Sequence, residues 1–205
     1  MIARNMPESS TAALPRICLV RHGETAWTLT GQHTGRTDLP LTPAGEEEAR
    51  ALEARLQPMR GAVVLTSPLQ RAHRTCVLAG FGPQALVDPD LVEWDYGAYE
   101  GVRTAEIRTT RPDWRLYEDG CPRGETAAMV GARADRVIGR LRERGSDVVI
   151  FGHRDLLRVL TARWLGLEAR DGRLFAMPTA SVTLLGYDHD LGEPVVKVLS
   201  CGQLS

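Results

Sequence analysis

Three short apolar runs in this chain stop abruptly at polar, charged groups. Ile17–Val20 ends at Arg21-His22-Gly23-Glu24-Thr25, Ala62–Leu65 at Thr66-Ser67-Pro68, and Val148–Phe151 at Gly152-His153. Runs of this kind, with no polar residue at alternate positions, read as strands buried on both faces, which is the pattern of a parallel sheet covered by helices. The segments between them carry helical signals. Thr42-Pro43 is an N-cap followed by proline at the first helical position, and Gly45, Ala49, Leu52 and Leu56 follow at three- and four-residue spacing. Ser67-Pro68 repeats that start signal ahead of Leu69, Ala72, Cys76 and Ala79. Glu125–Arg144 is a long helix facing inward with Val130, Ala134, Val137 and Leu141, and Asp155 is expected to cap a helix through Leu165, closed by Gly166. Ala85–Val87, Ser181–Leu185 and Val195–Leu199 add strands. Strands alternating with helices predict an α/β protein: a three-layer α/β/α sandwich with a mostly parallel sheet.

A length of 205 residues fits one domain, here residues 16–205 behind a flexible tail at residues 1–15. A chain of this size buries enough surface to need no disulfide or metal staple. The formal net charge of −1 argues against a nucleic-acid partner, and no apolar run approaches a membrane span. Cys18, Cys76, Cys121 and Cys201 form no C-x-x-C pair and have no histidine cluster beside them. The tail has no apolar h-region, so a cytoplasmic, reducing location is expected. Residues 88–124 are irregular and hold Trp94, Tyr96, Tyr99, Trp114 and Tyr117, a density that fits a cap or cleft wall. Asp188-His189-Asp190 falls in a turn between two strands and reads as solvated loop.

In open α/β sheets, ligands bind beyond the carboxyl ends of the strands. His22 and His153 each follow such an end, and Arg71 lies in the first turn of the helix after the third. Two histidines, Arg21, Arg71 and the free N–H groups of a helix start form a set suited to a phosphoryl group: bidentate cationic donors beside a nitrogen nucleophile.

The motifs also resemble a known family. Leu19-Val20-Arg21-His22-Gly23-Glu24-Thr25 is similar to the signature of the histidine phosphatase superfamily, whose fold is phosphoglycerate-mutase-like. Thr34-Gly35 with Asp38 and Leu41-Thr42, Ser67-Pro68-Leu69-Gln70-Arg71-Ala72 with Thr75, Glu93 with Tyr96-Gly97 and Glu100-Gly101, and Gly152-His153 resemble its later motifs in the right order. Finer features, among them Glu93-Trp94-Asp95-Tyr96-Gly97, resemble the branch that includes fungal sedoheptulose-1,7-bisphosphatase and mycobacterial acid phosphatase. The resemblance implies a short cap insertion at about 94–124. It implies that His22 is the nucleophile, that Arg21, Arg71 and His153 hold the phosphoryl oxygens, and that Glu93 is the general acid and then the base. The second ring nitrogen of His22 is expected to bond a local acceptor such as a backbone carbonyl, which sets the tautomer. Thr34 and Gly35 would touch phosphate or substrate through hydroxyl and amide. Thr28 stands where the family commonly has Asn. Arg158 matches a substrate-binding arginine suited to a distal phosphate or carboxylate. Arg154 stands where the family usually has glycine. Either it obstructs an unusual backbone conformation or it adds a substrate contact, and the sequence leaves both open. No metal and no cofactor are implied, the partner is a small phosphorylated substrate, and a homodimer stays open.

Three functions share these motifs. A phosphomonoester hydrolase is expected, because the interval from Glu93 to Glu125 is short and holds no lysine, whereas mutases of the family carry a longer basic segment there. A phosphoglycerate mutase is the alternative. An inactive phospho-ligand-binding relative fits less well with a full set of site residues.

Overall fold

The computed structural model describes residues 13–201. Residues 1–12 of the expected tail lie outside the described residues. The strands are β1 (Ile17–Arg21), β2 (Val63–Thr66), β3 (Ala85–Val87), β4 (Val148–Gly152), β5 (Val182–Tyr187) and β6 (Pro194–Cys201). The helices are α1 (Ala26–Thr30), α2 (Pro43–Arg55), α3 (Gln70–Leu78), α4 (Thr104–Thr110), α5 (Leu116–Asp119), α6 (Ala127–Arg144) and α7 (Arg154–Trp164). One six-stranded sheet runs in the order β3-β2-β4-β1-β5-β6. Strands β1 to β4 pair in parallel, and the antiparallel pairings of β5 close the sheet on the far side.

The two-residue period of a strand sends alternate side chains to opposite layers. Ile17 and Leu19 of β1 and Val148 and Ile150 of β4 join the core formed with α6 and α7. Cys18, Val20, Val149 and Phe151 join the opposite core, with Leu52 of α2, Cys76 of α3 and Phe81. Helices therefore cover both faces, and the three-layer α/β sandwich follows from the uninterrupted apolar runs. Phe151 is fully buried between β1, β2 and α3, and its truncation to Ala would cost about 3–5 kcal/mol. Cys18, Cys76 and Cys121 are buried. Among the described residues, no helix is long and apolar enough to cross a membrane.

Helix α2 begins as expected, with the Thr42 hydroxyl accepting from Gly45 N at 3.0 Å. Three other starts differ. Helix α3 begins at Gln70, because Ser67 Oγ accepts from Leu69 N at 3.2 Å in a turn of its own. Helix α6 begins at Ala127 under a Thr126 cap, while Glu125 turns back to Arg133 at 2.8 Å. Helix α7 begins at Arg154, so Asp155 is not its cap but a first-turn residue with no exposed surface.

In segment 94–124, Trp94, Tyr96, Trp114 and Tyr117 are buried against the α6/α7 core, which makes them core before they are wall. The Asp188-His189-Asp190 turn is an exposed hairpin end, closed by Asp188 N donating to Glu193 O at 2.9 Å.

Candidate active site

Strand register brings the two histidines together. The last β1–β4 pair is Arg21 with Gly152, and His22 N still donates to Gly152 O at 3.1 Å. The next residues on the two strands, His22 and His153, therefore leave the sheet side by side, with ring centroids 5.3 Å apart. On the other side of β4, Ser67 N donates to Phe151 O at 3.0 Å, and this places Ser67 Oγ 2.8 Å from His153 Nε2.

Those neighbours set both tautomers. His22 Nδ1 lies 2.7 Å from Gly23 O, and a carbonyl can only accept, so Nδ1 carries the proton and Nε2 keeps its lone pair. The acceptor is the backbone carbonyl that the sequence called for. Ser67 Oγ accepts from Leu69 N and lies 2.8 Å from His153 Nε2; when the hydroxyl donates its proton to that nitrogen, the neutral ring carries its own proton on Nδ1. Nδ1 of His153 is buried with no partner. Burial, then Arg71, pushes both imidazoles well below the usual histidine range, so both are neutral at physiological pH.

The arginines complete a cationic enclosure. Arg71 has no exposed surface, and its Nη atoms donate to the carbonyls of Thr37 (2.9 Å), Thr34 (3.1 Å) and Gly35 (2.9 Å). Arg21 Nη1 donates to Met177 O at 2.6 Å. The Nε atoms of both are buried and unpartnered. Burial lowers the Arg21 guanidinium to about 10 and lowers Arg71 as well, yet both stay charged at neutral pH. Neither forms an ion pair among the described residues, unlike the buried Arg133–Glu125 pair at 2.8 Å. A fully buried and a partly buried guanidinium with no ion-pair partner among the described residues, beside an unpartnered buried imidazole nitrogen, are costly to hold unless an anion completes them.

Glu93 lies across the start of α7. Its Oε1 accepts from Trp94 N and Leu156 N, both at 2.9 Å, while Oε2 accepts from Asp155 N alone at 3.1 Å. Oε2 therefore has the freer lone pair and is the atom suited to a proton. Burial first, then the charge of Asp155, raises the Glu93 carboxyl above the usual range, and the three amides only partly pull it back. Asp155 is held below the usual range by Arg154 and Arg158, despite its burial. It accepts from Tyr117 Oη at 2.9 Å, Arg154 Nη2 at 3.0 Å and Arg158 Nη1 at 3.1 Å, and from Tyr96 Oη.

A cavity of about 340 Å³ opens above His22, lined by Arg21, Glu93, Thr34, Thr28 and Arg154 among others. Fully buried Arg71 and His153 back it, packed against Thr34 and His22. Other expected residues stand differently. Gly35 N donates to Glu100 Oε1 at 2.8 Å and is not free for a substrate. Gly35 instead lends Arg71 its carbonyl, in a spot where a Cβ would come within 2.5 Å of Trp94 O. The Thr28 hydroxyl is engaged in a reciprocal cap with Thr25. Arg154 is in regular helical backbone, with no positive φ, so it obstructs nothing, and its side chain reaches the cavity wall. Arg158 is off this cavity, with its nitrogens donating to Gly172 O, Asp155 and Arg173 O.

Sequence reasoning missed Asp155 as a hub. A carboxylate directly after His153-Arg154 and three residues before Arg158 was the available signal. His33, a polar-loop residue in the sequence, is buried with Nδ1 2.6 Å from Val102 O and lies on the cavity wall.

Residues 17–199 match the family model described as the histidine phosphatase superfamily, branch 1. The chain is 39% identical to an acid phosphatase of Mycobacterium tuberculosis over 185 residues, 88% of this chain and 91% of that protein. It is 38% identical to sedoheptulose 1,7-bisphosphatase of Saccharomyces cerevisiae over 185 residues, 75% of this chain and 68% of that protein. A solved structure of an open reading frame product from Mycobacterium tuberculosis superposes with a TM-score of 0.86 at 39% identity, covering 91% of this chain and 97% of the other. The chain belongs to branch 1 of the histidine phosphatase superfamily, and it is a phosphatase.

Proposed function

We propose that the chain is a metal-independent phosphomonoester hydrolase that acts on a small phosphorylated metabolite through a phosphohistidine on His22. The observation that carries this reading is the pair of guanidiniums of Arg21, partly buried, and Arg71, fully buried, neither with an ion-pair partner among the described residues. They stand with the unpartnered His153 Nδ1 around an imidazole whose Nε2 lone pair is free.

In the first step His22 Nε2 attacks phosphorus and the ester P–O bond breaks. The proton on Glu93 Oε2 goes to the leaving oxygen, so the product alcohol departs neutral. Arg21, Arg71 and His153 Nδ1–H donate to the equatorial oxygens, where charge builds in the transition state. In the second step Glu93 takes a proton from water, the water oxygen bonds phosphorus, and the P–N bond breaks to restore His22.

Burial makes these roles compatible. A free Glu titrates near ~4.3 and a free His near ~6.5, so few chains would hold a protonated acid and a neutral nucleophile together. Here His22 is shifted down and Glu93 up, which opens a shared window on the acid side of neutrality.

The names of the two relatives, an acid phosphatase and a sugar bisphosphatase, favour hydrolysis over isomerisation. The test is a panel of sugar phosphates and phosphoglycerates assayed for inorganic phosphate, with 3-phosphoglycerate also followed for 2-phosphoglycerate with and without 2,3-bisphosphoglycerate. Release of inorganic phosphate is expected. Isomerisation without phosphate release would overturn the hydrolase reading.

A further inference from the structure

Glu93 stands on a stretch of chain with little regular structure to hold it. Between Val87 at the end of β3 and Thr104 at the start of α4, the main chain makes only two short 3₁₀ turns, Pro89–Leu91 and Gly97–Tyr99. Buried carbonyls in such a stretch need partners from outside it. One side chain supplies three. Arg133, in the second turn of α6 and almost wholly buried, donates Nη1 to Asp90 O at 2.8 Å and to Val92 O at 2.9 Å, and Nη2 to Glu93 O at 3.4 Å.

Glu125 grips the same guanidinium. Nε donates to Oε1 and Nη2 to Oε2, both at 2.8 Å, a bidentate geometry that fixes the guanidinium plane. Glu125 also binds the far end of the stretch. Its Oε2 accepts from Asp95 N at 2.9 Å, its own N donates to Asp95 O at 2.8 Å, and its carbonyl accepts from Trp94 Nε1 at 3.0 Å. One ion pair therefore holds residues 90–95 on both sides of Glu93. Arg136 and Arg140, three and seven residues further along the same face of α6, take the Asp90 carboxylate at 2.6 and 3.0 Å.

A buried ion pair is a poor device for stability alone, since an apolar pair of similar volume often does as well. An apolar pair could not, however, satisfy three carbonyls and an amide. What Arg133 and Glu125 supply is a fixed main chain at Glu93. The Glu93 carboxyl is held separately, by the N–H groups of Trp94, Asp155 and Leu156, and it stays in their reach only while its own Cα stays in place.

We propose that Arg133, locked by Glu125, is a positioning residue for the general acid: it fixes the main chain of residues 90–95 so that Glu93 Oε2 meets the leaving oxygen. Arg133 lies off the cavity above His22 and acts through Glu93. The proposal rests on the reading of Glu93 as the proton donor. A donor must come within about 2.6–3.2 Å of the atom it protonates, and a displacement of about 1 Å costs on the order of a hundredfold in rate.

The test measures kcat/KM for para-nitrophenyl phosphate, whose leaving group needs little protonation, and for benzyl phosphate, whose alkoxide needs it. Each variant is assayed at a temperature where its thermal melt shows it folded. Arg133→Ala is expected to lower kcat/KM by about 10–100-fold for benzyl phosphate and by no more than about threefold for para-nitrophenyl phosphate. On a Glu93→Gln background the same substitution should change neither value by more than about twofold, because the donor it positions is already gone. Arg133→Lys keeps a cation against Glu125 and should recover part of the benzyl loss. Should Arg133→Ala fail to fold, Arg133→Lys decides the matter, with a severalfold loss confined to benzyl phosphate expected. Equal losses on both substrates, an undiminished loss on the Glu93→Gln background, or no loss in any Arg133 variant would overturn the proposal and leave the acid reading intact. If Glu93→Gln alone slows both substrates alike, the acid reading falls and the proposal falls with it.

Discussion

Arg71 lies in the first turn of α3 and Arg158 in the second turn of α7, both helices that follow sheet strands, and their removal should have opposite consequences. Arg71 is fully buried and, among the described residues, bonds only carbonyls and has no ion-pair partner, which suits it to an anion. Deleting one such transition-state donor costs about 2.7–4 kcal/mol, so Arg71→Ala should lower kcat/KM by roughly 10²–10³. Arg158 instead compensates a buried charge. Its loss removes the 3.1 Å pair with Asp155, two carbonyl bonds and the stack on Tyr117. Removing one partner of a buried pair costs about 3–5 kcal/mol, and here Arg154 keeps part of the compensation. A cost near 3 kcal/mol, in a chain of this length, lowers Tm by roughly 6–12 °C. The assay is turnover of para-nitrophenyl phosphate at 25 °C beside a thermal melt of each variant. This substrate needs little protonation of its leaving group, so changes near Glu93 are muted. Arg158→Ala should keep kcat/KM within about tenfold of the wild type. An Arg71→Ala enzyme within tenfold of wild type would show that the phosphate lies elsewhere. A raised KM in Arg158→Ala with an unchanged Tm would show that Arg158 is a substrate ligand and not a support for Asp155.

Glu93→Gln should remove the alkaline limb of the pH–rate profile and slow alkyl phosphates far more than aryl ones; equal slowing of both would exclude Glu93 as the acid. His22 and His153 have folded pKa values below their unfolded ones, so the unfolded chain binds more protons below pH ~6.5. Their contribution to stability is present above that pH and is lost as pH falls toward the folded values, by up to about 1.4 kcal/mol per pH unit for each, with Glu93 offsetting part because its shift is upward. Urea midpoints should therefore fall between pH 6.5 and 5, less steeply in His153→Gln, and a flat profile in the wild type would contradict the buried neutral state. At Gly45 a Cβ would lie 2.1 Å from Glu24 O, so Gly45→Ala should lower both Tm and kcat by pushing the loop that carries His22, despite the helix propensity of alanine. A rise in Tm with full activity would show that the loop yields without moving His22.

The layers of the fold were legible because the apolar runs of β1, β2 and β4 are unbroken and short. Both facing cores draw on alternate residues of those runs. The meeting of His22 with His153 was legible too, since both follow strand ends, although their adjacency depends on β4 inserting between β1 and β2. Helix starts were less legible. Ser67-Pro68 carries the same local signal as Thr42-Pro43, but its hydroxyl is drawn to His153 by the β2–β4 register, a contact across 86 residues. Asp155 shows the same limit. An acidic residue near a helix start looks like a cap, and only the packing of Tyr96, Tyr117, Arg154 and Arg158 around it reveals a buried hub. The roles given to Gly35 and Arg158 rested on resemblance. Gly35 N is engaged by Glu100, and two Arg158 nitrogens by the carbonyls of Gly172 and Arg173, contacts that no spacing along the chain displays; only the pair of Arg158 with Asp155, three residues earlier, is local.

The phosphohistidine itself can be trapped. Wild-type enzyme mixed rapidly with phosphorus-labelled substrate and quenched in alkali should hold about one phosphate per chain, stable in base and released by mild acid. With Nδ1 of His22 bonded to Gly23 O at 2.7 Å, the phosphate should map to Nε2 of that residue. His22→Asn should show none. Label that persists in His22→Asn, that resists acid, or that maps to another residue would contradict the account at its centre.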